Sequence, residues 1–237
     1  MLKYLLPLLL AVSCAAYADE AAVRERLQKN HPQLGQVNQV NKSPIAGLYE
    51  VVTPNQLFYT DEEGNYLING AIWDLRTMRN ITEERERKIF AVDYKKLPFD
   101  IAFKEVKGNG KRQMVIFTDP NCGYCKKLEG ELQGISNVTI YRLMYPIFEG
   151  SDVKVRNVWC SKDRTKTWTD MLLNGVIAPA ATDPKCTYPI AKAMDSGQNL
   201  HINGTPAMIF SDGTLVPGAL PANEIEKLLN EAATPQK

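Results

Sequence analysis

The 237-residue sequence predicts an α+β protein in three parts: a small β-rich N-terminal unit, a polar helix, and a C-terminal domain mixing strands with helices. Three observations predict this. Short runs of β-formers separated by turn residues occupy the chain up to about residue 80. A stretch dense in Glu, Arg and Lys follows. The remainder alternates apolar β runs with helical stretches and closes on a hairpin and a helix.

Residues 1–18 read as a secretory signal outside the fold. Lys3 gives a positive start, residues 5–12 are apolar except for Pro7, and Ala16-Tyr17-Ala18 forms a small-residue cleavage site before Asp19. The rival readings are a retained membrane anchor, for which the stretch is too short, and lipidation at Cys14. The latter is disfavoured because Ala11 stands in LLAVSC where a lipoprotein box usually has a larger aliphatic residue. Cleavage after Ala18 removes one lysine and no acid, bringing the 28 basic residues level with the 27 acidic ones. That balance gives no reason to expect nucleic acid or an anionic membrane as partner. No later run approaches 18 apolar residues, and a 44% hydrophobic fraction suffices for a packed core.

In the N-terminal unit, residues 19–80, AAVRERLQKN (21–30) predicts a short amphipathic helix. LYEVVT (48–53), QLFYT (56–60) and NYLING (65–70) predict antiparallel strands joined by tight turns. So small a unit is marginal alone. Pairing an edge strand with a second copy would cover the edge and thicken the core, and 66–70 is the expected joint. Residues 81–97 predict a linker helix, TEERERKIFAVDYKK. Thr82 is the expected cap, Glu83 and Glu84 lie in the first turn, Lys95 and Lys96 in the last, and Pro98 is a stop. Glu83–Arg87 and Glu84–Lys88 are the expected i,i+4 pairs, and such a helix would span roughly 20 Å. The alternative is a surface helix of one continuous domain.

From residue 98 to 237 strands are expected at 101–106, 113–118 and 138–145, with a helix beginning near Cys122. Mainly helical stretches cover 152–174 and 187–200. PAMIFS (206–211), Asp212-Gly213 and TLVPG (214–218) form a hairpin, and 222–233 is a terminal amphipathic helix.

Chemistry concentrates where the 113–118 strand ends. Cys122 follows Asp119-Pro120-Asn121 and Cys125 stands one helical turn later. Unpaired N–H groups at a helix start favour a thiolate, so Cys122 is the candidate nucleophile and Cys125, pointing inward, the resolving thiol. Gly123 and Tyr124 between them add no charge. Asp119 either caps the helix, the favoured reading, or acts electrostatically on Cys122. A static structural disulfide is the plain alternative. A zinc site is disfavoured, because His31 and His201 complete no ligand spacing with the cysteines. Four cysteines in an exported chain suggest two disulfides, with three pairings open. The close spacing favours 122 with 125, which leaves 160 with 186, and spacing alone does not prove it. In HINGTPAMIF (201–210), Pro206 precedes an apolar run, which suits a strand start or a cis turn. A cis bond would expose the backbone of Thr205 to an extended peptide; an ordinary trans proline stays open.

Four stretches together, FTDPNCGYCKK (117–127), WCSKD (159–163), NGTPAMIFSDGTLVPG (203–218) and YLING…WDL (66–75), resemble the DsbC/DsbG family of periplasmic disulfide isomerases. The resemblance covers essentially the whole chain after the leader and is weakest in the N-terminal unit and linker. It implies a thioredoxin-fold catalytic domain with a helical insertion and a cystatin-like dimerisation domain. It implies a cis Pro206 opposite Cys122, substrate positioning by Thr205 and Pro206, and a structural bond between Cys160 and Cys186. It further implies a V-shaped homodimer in the periplasm, kept reduced by a DsbD-like membrane protein, with no metal or cofactor. The implied activity is rearrangement of incorrect disulfides in exported proteins, with chaperone activity. The alternatives are a DsbG-like reductase protecting oxidised single cysteines, and a chaperone or peptide-binding module whose thiols are secondary.

Overall fold

The computed structural model describes residues 20–54 and 56–234. The signal sequence, its cleavage after Ala18 and Cys14 lie outside the described residues. The chain divides into two compact units, one through Glu86 and one from Arg87.

In the first unit, α1 (Glu20–Asn30) lies on an antiparallel sheet ordered β1 (Gln39–Lys42), β2 (Leu48–Val52), β3 (Leu57–Asp61), β4 (Leu67–Ile68). Val23 and Leu27, one turn apart, are buried with Val37, Val40, Tyr49, Val51 and Phe58. β1 has no counterpart in the sequence reading, because QVNK has only one apolar residue to show alternation. β4 is shorter than the expected 65–70 strand. The Asp61 carboxylate accepts from the N–H groups of Asn65 and Tyr66, which holds the turn and delays pairing until Leu67. A small hairpin, β5 (Trp73–Asp74) with β6 (Arg79–Asn80), follows.

The polar helix departs from expectation at both ends. α2 covers Ile81–Ile89. Asn80 accepts from the Glu83 N–H at its start. Thr82 is instead buried, its hydroxyl 2.6 Å from the Tyr59 hydroxyl and accepting from the Ile72 N–H. Arg85 makes a bidentate contact with Glu50, Glu84 pairs with Arg79, and Arg87 pairs with Glu231. The helix stops before residue 96 because the Val92 N–H bonds the Gly213 carbonyl at 2.8 Å and Asp93 caps a separate 3-10 turn, Tyr94–Lys96. A side chain at Gly213, where φ is +88°, would strike the Val92 carbonyl.

The second unit is built on a five-stranded sheet. Its order is β11 (Leu215–Pro217), β10 (Ala207–Phe210), β8 (Arg112–Thr118), β9 (Val138–Met144), β7 (Ala102–Lys107). Only β8 and β9 are parallel, and α3 (Gly123–Leu132) makes their crossover. β8 is buried on both faces, so its apolar run is continuous. Met114 and Ile116 pack with Leu128 and Leu132 of α3 and with Ile225 and Leu229 of α7 (Ala222–Ala233). Val115 and Phe117 pack with residues of α4 (Ser151–Trp159), α5 (Arg164–Asn174) and α6 (Ile190–Asn199). The mainly helical 152–174 stretch is divided into two helices where Asp163 caps α5 by accepting from the Lys166 N–H. Cys160, at the end of α4, is bonded to Cys186 in the loop before α6, with Cα atoms 6.0 Å apart.

A buried ion network holds these layers. Arg142 of β9 is fully buried and donates to both oxygens of Glu129 on α3, at 2.6 and 2.9 Å. Trp168 of α5 donates its indole N–H to the same carboxylate at 2.7 Å. Glu105 of β7 approaches Arg142 at 2.8 Å, an ion contact lacking hydrogen-bond geometry. Removing one partner of such a pair strands a buried charge, at a typical cost of about 3–5 kcal/mol. Arg142→Met should therefore lower unfolding stability by about that much in urea titrations, and adding Glu129→Leu should recover most of the loss.

Candidate active site

The site forms where β8 ends. The register pairing Ala207 of β10 with Phe117 of β8 brings the residues before β10 alongside those after β8. Thr205 thus meets Cys122. Cys122 is the N-cap of α3 in extended conformation, and its Sγ accepts from the Cys125 N–H at 3.4 Å. The Cys122 thiol donates to the Thr205 carbonyl at 3.1 Å. The Thr205–Pro206 peptide is cis. The Pro206 carbonyl is taken by the Gly218 N–H.

The two thiols are free and inequivalent. Cys125 is 1% exposed, among β8, α3 and the helical insertion, and accepts from the Asp119 N–H at 3.4 Å. Burial pushes its thiol up to about 12, opposed in part by that N–H and by the nearby Thr118 and Thr205 hydroxyls. The Thr205 hydroxyl is itself buried beside the pair. Cys122 is 5% exposed at the helix start. Tyr124 is 68% exposed, and a Cβ on Gly123 would meet nothing. The rim over the thiols is therefore open.

Asp119 does not cap the helix. Its fully buried carboxylate accepts from the N–H groups of Asn121, Ile147 and Phe148 and from the Ser151 hydroxyl, at 2.6 to 3.1 Å. Cys122 takes the cap position instead. The turn signal Asp-Pro-Asn locates Asp119 near a bend, but three of its four donors lie about thirty residues on and leave no local trace in the sequence.

Thr118 and Ser151 thus belong to the site without having been singled out by sequence, and Asp119, expected as a cap, belongs to it in another role. Cys160 and Cys186 lie apart from the dithiol, between α4 and the loop before α6. Among the described residues no group of three or more His, Cys, Asp and Glu is placed to hold a metal. A cleft of about 1210 Å³, lined by Tyr94, Phe99, Arg112, Tyr141 and Glu226 among others, contains no cysteine. Both thiols are buried, Cys122 the less so, and open space borders them at Gly123 and Tyr124.

The inequivalence has a direct readout. Iodoacetamide should label Cys122 ahead of Cys125 in the reduced protein. In a Cys122→Ser variant, Cys125 should react slowly at pH 8 and accelerate only as pH rises toward about 12, since burial disfavours its thiolate. Equal labelling of the two thiols at pH 8 would remove the distinction.

Residues 14–83 match the model of the disulfide bond isomerase protein N-terminal domain, and residues 99–233 that of a thioredoxin-like domain. A probable thiol:disulfide interchange protein DsbC from Bordetella pertussis is 40% identical over 209 residues, 88% of this chain and 73% of that one. The thiol:disulfide interchange protein DsbC of Escherichia coli K12 is 30% identical over 235 residues, 96% and 94% of the two chains. The crystal structure of a disulfide interchange protein from Neisseria gonorrhoeae aligns with a TM-score of 0.54 at 33% identity, covering 59% of this chain and 100% of that one. With its thioredoxin-like domain and paired thiols, the chain belongs to the DsbC family of thiol:disulfide interchange proteins and is a disulfide isomerase of the thiol-disulfide oxidoreductase class.

Proposed function

We propose that the chain is a periplasmic isomerase and reductase of incorrect disulfides in exported proteins, and that Cys122 and Cys125 carry the chemistry. The observation that carries this reading is the placement of the Cys122 sulfur at the start of α3, against the Thr205 carbonyl, with Cys125 buried behind it.

Cys122 loses its proton and attacks one sulfur of a substrate disulfide. The substrate S–S bond breaks, a mixed disulfide forms, and the second substrate sulfur leaves as a thiolate that takes up a proton. Two exits follow. In the first, another substrate thiolate attacks the substrate sulfur of the mixed disulfide, a new substrate S–S bond forms, and Cys122 leaves as a thiolate, with no net oxidation. Alternatively Cys125 attacks the Cys122 sulfur, the substrate leaves reduced, and the enzyme holds a 122–125 disulfide. The high proton affinity of Cys125 slows the second exit and lengthens the life of the mixed disulfide, which favours rearrangement. The reductive exit needs an outside dithiol, the role assigned to a DsbD-like membrane reductant. Thr205 and Pro206 position the substrate chain over Cys122, and the Cys160–Cys186 bond is structural.

The chain acts as a homodimer through residues 19–80, with 81–97 as linker and 98–237 as catalytic domain. In support, β4 is an edge strand, and Tyr66 just before it and Leu67 and Ile68 within it are 71%, 50% and 46% exposed. Such an apolar edge invites pairing with a second copy. Two sites on one dimer raise the effective concentration of a tethered substrate, and a shared cleft accounts for chaperone activity.

Reactivation of scrambled ribonuclease tests the chemistry. The wild type should restore activity and Cys122→Ala should not, whereas both should slow aggregation of an unfolding protein. A reductase restricted to single oxidised cysteines would leave scrambled ribonuclease inactive. Gly70→Arg tests the dimer, since a side chain there meets nothing within the chain. It should shift the sedimentation profile toward monomer and lower isomerase turnover. A Gly70→Arg protein that stays dimeric would remove the 66–70 edge as the joint.

A further inference from the structure

We propose that Ile147 and Phe148, held beside the Cys122 segment by the buried carboxylate of Asp119, form a specificity-determining contact that selects polypeptide disulfides flanked by apolar side chains. The proposal rests on the dithiol reading above and deepens it.

The Tyr145 N–H bonds the Thr118 carbonyl at 2.8 Å. This carries the β8–β9 alignment past the strand ends, so that residues 145–149 run beside 118–121. The Asp119 carboxylate takes the Ile147 and Phe148 N–H groups at 2.8 and 3.1 Å and the Ser151 hydroxyl at 2.6 Å. Asn121, the neighbour of Cys122, donates its side-chain amide to the Glu149 carbonyl at 2.9 Å and accepts from Lys154 at 2.5 Å. The loop is thus fastened to the approach to Cys122 at several points. Its two apolar side chains nonetheless remain 36% and 48% exposed.

A single exposed apolar residue is ordinary on a protein surface. Two adjacent ones whose backbone donors are consumed by a buried carboxylate are different. Such a loop is ordered before substrate arrives, so little conformational entropy is lost when an apolar partner covers it. A disulfide attacked by Cys122 must lie at the start of α3, which places the substrate residues flanking it within reach of this rim and of the exposed ring of Tyr124. Folded proteins bury the apolar residues around their disulfides, whereas misfolded ones expose them. The contact therefore directs the dithiol toward non-native disulfides. Asp119 is a positioning residue here, acting through the loop.

The test uses the full-length protein and two disulfide-bridged peptides of equal length, one with Leu and Phe flanking its cysteines and one with Ser. The ratio of kcat/KM between them is the readout. The wild type should prefer the apolar peptide about tenfold, close to 1.4 kcal/mol, with the difference in KM. Ile147→Ser with Phe148→Ser should bring the ratio near one, while Phe148→Leu should retain most of it. Asp119→Asn, which turns an amide donor toward N–H groups, should lower the ratio with both apolar residues in place. A wild-type ratio near one, or a double variant that keeps the preference, would overturn the proposal. Cys122→Ala separates the two readings: turnover of either peptide by that variant would overturn the dithiol assignment, and its inactivity leaves the rim to be judged by the ratio alone.

Discussion

The arrangement of the second unit depends on one buried ion pair, Arg142 with Glu129. Arg142 projects from β9, and Glu129 lies one turn beyond Cys125 on α3, the helix that carries the thiols. Trp168 brings α5 of the helical insertion to the same carboxylate. Three elements, the consecutive α3 and β9 and the later α5, therefore share one charge centre. Taking two charges out of water is costly, and a bidentate geometry with an added indole donor is what offsets it. An apolar substitute of similar volume would pack without fixing a register. Here one rotation of α3 satisfies the carboxylate, and that rotation points Cys125 inward and leaves Cys122 at the rim. One nitrogen of Arg142 is left without a hydrogen bond, so the network is fixed by its geometry more than by complete satisfaction of its donors.

That rotation accounts for the unequal thiols. A C-x-x-C placed one turn apart puts both sulfurs on one side of a helix, but burial acts on them separately. Cys125 sits in the apolar cluster under α4 and α5, where desolvation disfavours charge. Cys122 interrupts the helix as its cap, in contact with the Thr205 carbonyl brought in by the β8–β10 register. The sheet thus supplies the substrate-facing backbone and the helix supplies the sulfurs.

Much of this was legible in the sequence, for reasons that differ by element. The strands 112–118 and 138–144 declare themselves by runs rich in β-formers and 102–107 by its Phe103 and Val106 among polar residues, each stretch being bounded by Gly, Asn or Pro. The helix 222–233 matches its expected bounds because its apolar residues recur at helical spacing. The thiols are visible because cysteine pairs at this spacing are chemically distinctive. The polar helix was read too long, because nothing local to residues 90–93 announces that the Val92 N–H will be taken by Gly213. β1 was missed because a four-residue strand with one buried side chain has no pattern. Thr82 looked like a cap and is a buried hydroxyl tied to Tyr59. For the polar helix and for Thr82, a partner elsewhere along the chain overrode a sound local preference.

Asp119 carries the same lesson into the site itself. Its position three residues before Cys122 favours capping, and helix starts commonly use such a residue. The cysteine occupies the cap instead, which frees the carboxylate to collect donors from the loop after β9 and the start of α4. A residue that would have served α3 alone therefore ties together the two segments that border the nucleophile. Because four donors converge on one fully buried carboxylate, the border behaves as one piece. The order of the loop over the site is set by the same short segment that sets the place of the sulfur.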